Sequence, residues 1–165
     1  MEAAYIALGS NLKSPQRQLQ AGFAALAQLP DTELVAQSSL YRSAPVGYAN
    51  QPDFVNAVAA IRTTLTPRAL LDALLAIERE HGRVRDFPNA PRTLDLDIAL
   101  YGEHVINEPG LSIPHLRMQQ RAFVMVPLAE IAPDALVPGV GRVRDLLPGV
   151  DVNSVSRLKL KVLVA

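Results

Sequence analysis

The chain has 165 residues, 49% hydrophobic and 19% charged, enough for one domain with a sizeable core. Its 16 basic and 16 acidic residues cancel, which argues against a general nucleic-acid or membrane-surface binder. The absence of cysteine excludes a disulfide framework and thiolate metal sites.

Ala3 to Leu8 is a short apolar run ending at Gly9-Ser10-Asn11, the pattern of a buried strand entering a turn. Ser14-Pro15 then supplies a cap residue and a first-turn proline before Leu19, Phe23, Leu26 and Leu29, an apolar stripe at helical spacing. Thr32 to Arg42 reads as a strand, Ser43 to Pro52 as a loop and Phe54 to Thr63 as a further strand. Thr66-Pro67 repeats the start signal, and Leu70, Leu71, Leu74, Leu75 and Ile77 predict a second helix stopping near His81-Gly82. A loop dense in arginine and proline, Arg83 to Arg92, leads to a strand over Thr93 to Tyr101. Gly102-Glu103 reads as a hairpin turn into Val105-Ile106, and Val124 to Ile131 as a short helix. Beyond Pro133 the strand-like runs are Ala135 to Val137 and Leu158 to Val164.

The order strand, helix, strand, strand, helix, strand predicts a ferredoxin-like split βαβ core. The expected fold class is α+β: an antiparallel sheet with helices packed on one face, and long active-site loops. With no repeat and no linker, residues 1–165 read as one domain. The start, Met1-Glu2-Ala3-Ala4-Tyr5, lacks a basic leader region, and no apolar run approaches membrane-spanning length. A cytoplasmic protein with no membrane partner is the expectation.

There is no phosphate loop of the GxxxxGK type and no GxGxxG after the first strand, and His81, His104 and His115 lack metal-binding spacing. A nucleotide site in this chain therefore needs arginines and carboxylates. Pro91-Arg92-Thr93-Leu94-Asp95-Leu96-Asp97-Ile98 offers both. On a strand, Asp95 and Asp97 share one face while Leu94, Leu96 and Ile98 fill the other, and two carboxylates there suit a divalent cation carrying a polyphosphate. The same alternation fits a half-buried strand with a solvated acidic face. Arg83, Arg85 and Arg92 could clamp phosphates bidentately or simply solvate a helix end. Ile113-Pro114-His115 and Arg121-Ala122-Phe123 bring a second positive cluster after the acidic strand.

In their order these pieces resemble the 6-hydroxymethyl-7,8-dihydropterin pyrophosphokinase family of folate biosynthesis. The resemblance runs from Ala4-Tyr5-Ile6-Ala7-Leu8-Gly9-Ser10-Asn11-Leu12 to Pro127-Leu128-Ala129-Glu130-Ile131-Ala132-Pro133. Between them lie Ser38-Ser39-Leu40-Tyr41-Arg42, Gln51-Pro52-Asp53-Phe54-Val55-Asn56, Gly82-Arg83-Val84-Arg85, the acidic strand and Pro114-His115.

The resemblance implies ATP-dependent transfer of pyrophosphate to the pterin hydroxymethyl group, with release of AMP. It implies two magnesium ions on Asp95 and Asp97, and catalytic roles for Arg83, Arg92, Asp95 and Asp97. ATP contacts fall on Glu78, Arg83, Arg85, Arg92, Ile98, Ser112, His115 and Arg121, with Arg92 entering on closure of a lid. The pterin is expected between Phe54 and Phe123, read by Asn56 and by backbone groups at Ser43, Ala44 and Val46. Leu75, Gly110, Leu116 and Asn89 depart from residues common in the family. The implied partners are ATP and the pterin, with no nucleic acid, and the implied state is a monomer. A non-enzymatic binding module on the same framework predicts no metal dependence. Single-stranded RNA binding fits poorly with zero net charge and no tryptophan.

Overall fold

Strand β1 (Glu2–Ser10) is the middle of the sheet: Ala4, Ile6 and Leu8 are buried on one of its faces and alternate with Tyr5, Ala7 and Gly9 on the other. The computed structural model describes residues 1–12, 14–44, 52–81 and 93–158. After β1 come α1 (Pro15–Ala27), β2 (Thr32–Gln37), β3 (Tyr41–Ser43), β4 (Phe54–Thr63), α2 (Pro67–Glu80) and β5 (Asp95–Tyr101). Next are β6 (Ile106–Glu108), β7 (Leu111–Ile113), α3 (Ala122–Ile131), β8 (Leu136–Val137), β9 (Gly141–Arg142), α4 (Val143–Leu146) and β10 (Val155–Arg157). The main sheet runs β10-β3-β4-β1-β5, with β2 also paired to β4, and its pairings are antiparallel. Placing β1 between β4 and β5 is what the split βαβ order requires.

One face of the sheet carries the main core. Leu19, Phe23 and Leu26 of α1 and Leu70, Leu74 and Ile77 of α2 pack there on Ile6, Leu8, Ile61, Leu96 and Ile98. The expected one-sided helix packing describes α1 and α2. α3 lies on the second face, where Met125 and Leu128 pack with Tyr41, Val58 and Leu100. It covers only part of that face, and the site occupies the rest.

Pro15 and Pro67 both begin helices, as predicted. Thr66 caps α2 by accepting from the Ala69 amide at 3.2 Å. Ser14 makes no side-chain cap, and its backbone is left-handed (φ 60°) rather than extended like that of Thr66.

Four expectations are corrected. The strand predicted over Thr32 to Arg42 is broken at Ser38-Ser39-Leu40 into β2 and β3, both on the same side of β4. At the break the Ser38 hydroxyl accepts from the Val58 amide at 2.9 Å, substituting for a strand partner. The strand after Gly102-Glu103 does not fold back on β5; β6 pairs with β7, across Pro109 and the left-handed Gly110 (φ 76°), the residue order of a type II turn. α3 starts at Ala122 rather than Val124, so Phe123 belongs to its first turn. In the tail the strand on the sheet is Val155–Arg157, paired to β3, and all but the first residue of the run predicted over Leu158 to Val164 lies outside the described residues. Among the described residues no helix is long and apolar enough to cross a membrane.

Candidate active site

The second face of the sheet has a floor of small residues. Asp97 pairs with Ala7 and Asp95 with Gly9, so both carboxylates stand beside side chains that take little room. Above this floor lies a cavity of about 660 Å³, walled by Ser43, Phe54 and Asn56 from β3 and β4 and by the segment from His115 to Phe123. Leu94, Leu96 and Ile98 point into the main core, so strand alternation delivers the aspartates to the cavity.

β5 is a sheet edge, and its position is fixed from behind. The Leu96 amide, between the two aspartates in sequence, donates to Glu78 Oε2 at 2.7 Å. Glu78 itself is only 1% exposed on α2.

A β-bulge sets the opposite wall. Tyr5 faces Leu100 and Ile6 faces Ile98, leaving Ala99 as an extra residue. The Ala99 carbonyl accepts from the His115 amide at 3.0 Å, which brings His115 Nε2 to 3.8 Å from Asp97 Oδ1. The turn after His115 is planted by the fully buried Met118 and closed by the bond from the Arg121 amide to the Met118 carbonyl, 3.0 Å. Arg121 then places its guanidinium carbon 5.8 Å from the Phe123 ring centroid, within cation–π range. Burial and, secondarily, the Arg121 charge hold the His115 imidazole below its ordinary pKa, partly offset by Asp95 and by a backbone hydrogen bond at Leu116. His115 is therefore neutral at pH 7, with one ring N–H to donate.

At the aromatic end, Ser43 pairs with Phe54, and the Ser43 hydroxyl donates to Asn56 Oδ1 at 2.6 Å. A Cβ at Gly9 would sit 3.1 Å from Asn56 Nδ2, so glycine there gives the amide its place over β1. The residues after Gly9 fasten the neighbouring segments. Ser10 Oγ donates to the Thr93 carbonyl, and Asn11 Nδ2 donates to the Pro52 carbonyl at 3.2 Å.

Asp95, Asp97, His115, Arg121, Ser43, Ala44, Phe54, Asn56 and Phe123 thus meet at one cavity. Glu78, Ile98 and Ser112 do not line it. The Glu78 carboxylate is buried and bonded to the back of β5, Ile98 faces the main core, and Ser112 pairs with Asn107 in the β6–β7 hairpin. Arg83, Arg85, Arg92 and Val46 lie outside the described residues. Three lining residues with polar or charged side chains were not among the expected site residues: Arg117, Gln120 and Ser154. The charge of Arg117 next to His115 was a usable signal, whereas Ser154 sits in the tail without any motif.

Among the described residues no group of three or more His, Asp, Glu or Cys side chains forms a metal cage. Two hard carboxylates lining the cavity instead suit magnesium, which keeps water ligands and shares its shell with substrate phosphates.

Known proteins bear on this arrangement. The profile of the family described as 7,8-dihydro-6-hydroxymethylpterin-pyrophosphokinase (HPPK) matches residues 5–133. The 2-amino-4-hydroxy-6-hydroxymethyldihydropteridine pyrophosphokinase of Pseudomonas aeruginosa is 52% identical over 158 residues, covering 96% of this chain and 98% of that protein. The protein of the same name from Haemophilus influenzae is 52% identical over 147 residues, covering 89% of this chain and 92% of its own. In fold, the chain resembles wild-type Plasmodium falciparum HPPK-DHPS with a TM-score of 0.71 and 13% identity, over 97% of this chain and 48% of that one. It spans about half the length of such solved chains. With a family profile matched from the first strand to the end of α3 and half of its residues shared with two bacterial relatives, this chain belongs to the 7,8-dihydro-6-hydroxymethylpterin-pyrophosphokinase family.

Proposed function

We propose that the chain is the pyrophosphokinase of folate biosynthesis, moving the terminal diphosphoryl group of ATP to the hydroxymethyl group of 6-hydroxymethyl-7,8-dihydropterin. The observation that carries the reading is the meeting, in one cavity, of a carboxylate pair with an aromatic pair and an amide. The first suits a metal-bound polyphosphate, and the second a flat heterocycle with a hydrogen-bonding edge.

In the reaction the hydroxymethyl oxygen forms a bond to the β-phosphorus. The bond from that phosphorus to the oxygen bridging the α-phosphate breaks, AMP leaves with the bridging oxygen, and the hydroxyl proton passes to water. Such a transfer needs alignment and charge neutralisation more than covalent help. Asp95 and Asp97 would hold two magnesium ions, which when bound neutralise phosphate charge and acidify the attacking hydroxyl. His115 donates to a phosphate oxygen as a neutral imidazole, and Arg121 adds a fixed positive charge beside it. Phe54 and Phe123 hold the pterin ring between them, and Asn56 reads its edge with backbone groups at Ser43, Ala44 and Val46. Arg83, Arg85 and Arg92 are assigned to the triphosphate on sequence resemblance, with Arg83 and Arg92 kept as catalytic. Nucleotide contacts at Ile98 and Ser112 rest on the same resemblance. The protein acts as a cytoplasmic monomer in this reading.

Product analysis is the direct test. Incubation with Mg-ATP and the reduced pterin should yield AMP and the pterin diphosphate in equal amounts. ADP as the nucleotide product would sink the mechanism, and no turnover by folded protein would favour a binding module.

A further inference from the structure

Two sequence segments with no role in the reaction above, Ser38-Ser39-Leu40-Tyr41-Arg42 and Leu128-Ala129-Glu130-Ile131, meet in space. Glu130, near the end of α3, accepts from the Ser39 amide at 3.0 Å on both carboxylate oxygens, and from the Ser39 hydroxyl at 3.0 Å. Its Oε1 also accepts from the Tyr41 hydroxyl at 2.5 Å. Arg157 of β10 stands 3.9 Å from Oε2. A single carboxylate therefore joins α3 to the start of β3, with a cation from the neighbouring strand beside it.

These elements carry the two walls of the aromatic end. Phe123 is in the first turn of α3, and Ser43, at the other end of β3 from Tyr41, is paired with Phe54. Tyr41 is buried, and both Tyr41 and α3 belong to the smaller core cluster behind the cavity.

We infer that Glu130, through Ser39 and Tyr41, is a positioning residue that sets the spacing between the Phe54 and Phe123 walls and so the affinity for the pterin ring. The inference rests on the reading that the pterin lies between these two rings. Charge-assisted hydrogen bonds are shorter and stronger than neutral ones, so this carboxylate resists the separation of helix and strand. Burial, and then the bond to Glu130, push the Tyr41 hydroxyl up to about 12, so the phenol keeps its proton and remains a donor across the working pH range. The triphosphate groups are held differently, Asp95 and Asp97 by β5 and His115 by the bulge carbonyl of Ala99. Loosening the Glu130 clamp should therefore separate the two substrates in their response.

The test compares Glu130→Ala, Glu130→Gln and Tyr41→Phe in the full chain, measuring pterin Kd by calorimetry and KM for both substrates. Glu130→Ala should raise pterin Kd and KM about tenfold, as expected for misplaced binding walls, with KM for ATP within about twofold of the parent. Glutamine keeps one acceptor for Tyr41 and should recover part of the loss; Tyr41→Phe should fall between the parent and Glu130→Ala. Phe123→Ala serves as the control on the reading itself. If Phe123→Ala leaves pterin Kd unchanged, the sandwich reading fails and the inference with it. If Phe123→Ala weakens the pterin while the Glu130 and Tyr41 variants lower only the melting temperature, the sandwich stands and the positioning role is overturned. Should Glu130→Ala not fold, Glu130→Gln and Tyr41→Phe carry the same comparison.

Discussion

The Glu78 carboxylate accepts a hydrogen bond from the Leu96 amide at 2.7 Å, behind the strand that presents Asp95 and Asp97 to the cavity. A buried acid on a core helix thus anchors the backbone between two acids on the open face. Glu78→Ala leaves a buried amide without this acceptor, which costs about 1–3 kcal/mol. We expect a lower melting temperature together with reduced kcat, while Glu78→Gln, which keeps an oxygen acceptor, stays close to the parent in both. Equal losses for alanine and glutamine would show that the charge, not the hydrogen bond, matters.

Asp97→Ala removes one of the two carboxylates on the cavity face but none of the main core. Turnover measured as AMP release should fall about 10³-fold, the scale seen when a preorganised electrostatic group is lost. Circular dichroism and thermal melts should remain those of the folded parent. Near-parental rates in this variant would remove the metal assignment.

His115 should titrate with a midpoint below its ordinary 6.5, followed by NMR of the ring carbons. Its folded value lies below its unfolded one, so the unfolded chain binds the proton more readily. The stability tied to the neutral ring is present above pH 6.5 and is lost as pH falls through the window down to the folded midpoint. Arg121→Gln removes a cause of the depression and should move the midpoint upward. A midpoint unaffected by that change would mean burial acts alone.

Gly9→Ala tests the floor of the cavity. A methyl 3.1 Å from Asn56 Nδ2 forces the amide to shift by a few tenths of an ångström. Pterin affinity should drop about three- to tenfold, the value of a misaligned hydrogen bond, with ATP affinity unchanged. Calorimetry with each substrate separately distinguishes this from a general loss of fold.

Much of the fold was legible because local signals and burial agree. Phe54–Thr63 and Pro67–Glu80 appear where the apolar pattern and the Thr66-Pro67 start place them. Elements that depend on distant partners were not legible. At the break between β2 and β3 the Ser38 hydroxyl takes the place of a backbone acceptor for the Val58 amide of β4, and no local propensity encodes that. Val155–Arg157 is a strand only because the edge of β3 is there to receive it. In the site, alternation put the two aspartates on one face and the family resemblance gave them a role, whereas Glu78 was expected at the nucleotide rather than behind β5. Its burial depends on α2 lying against β5, a tertiary fact. The Ala99 bulge carries no residue signature at all, alanine being as ordinary in a regular strand as in a bulged one.

That bulge divides β5 into two reading frames. Ahead of Ala99, even-numbered residues feed the main core; past it, Leu100 joins the smaller core and Tyr101 the main one. Deleting Ala99 would leave Ile98 opposite Ile6 and Leu100 opposite Tyr5 in an unbroken ladder, with Leu100 and Tyr101 on their present faces, but would remove the carbonyl that seats His115. The cost of losing this residue thus falls on the wall of the site rather than on the frame of the strand. In a deletion scan, the single-residue gap across Ala99 should therefore lower turnover far more than it lowers the melting temperature.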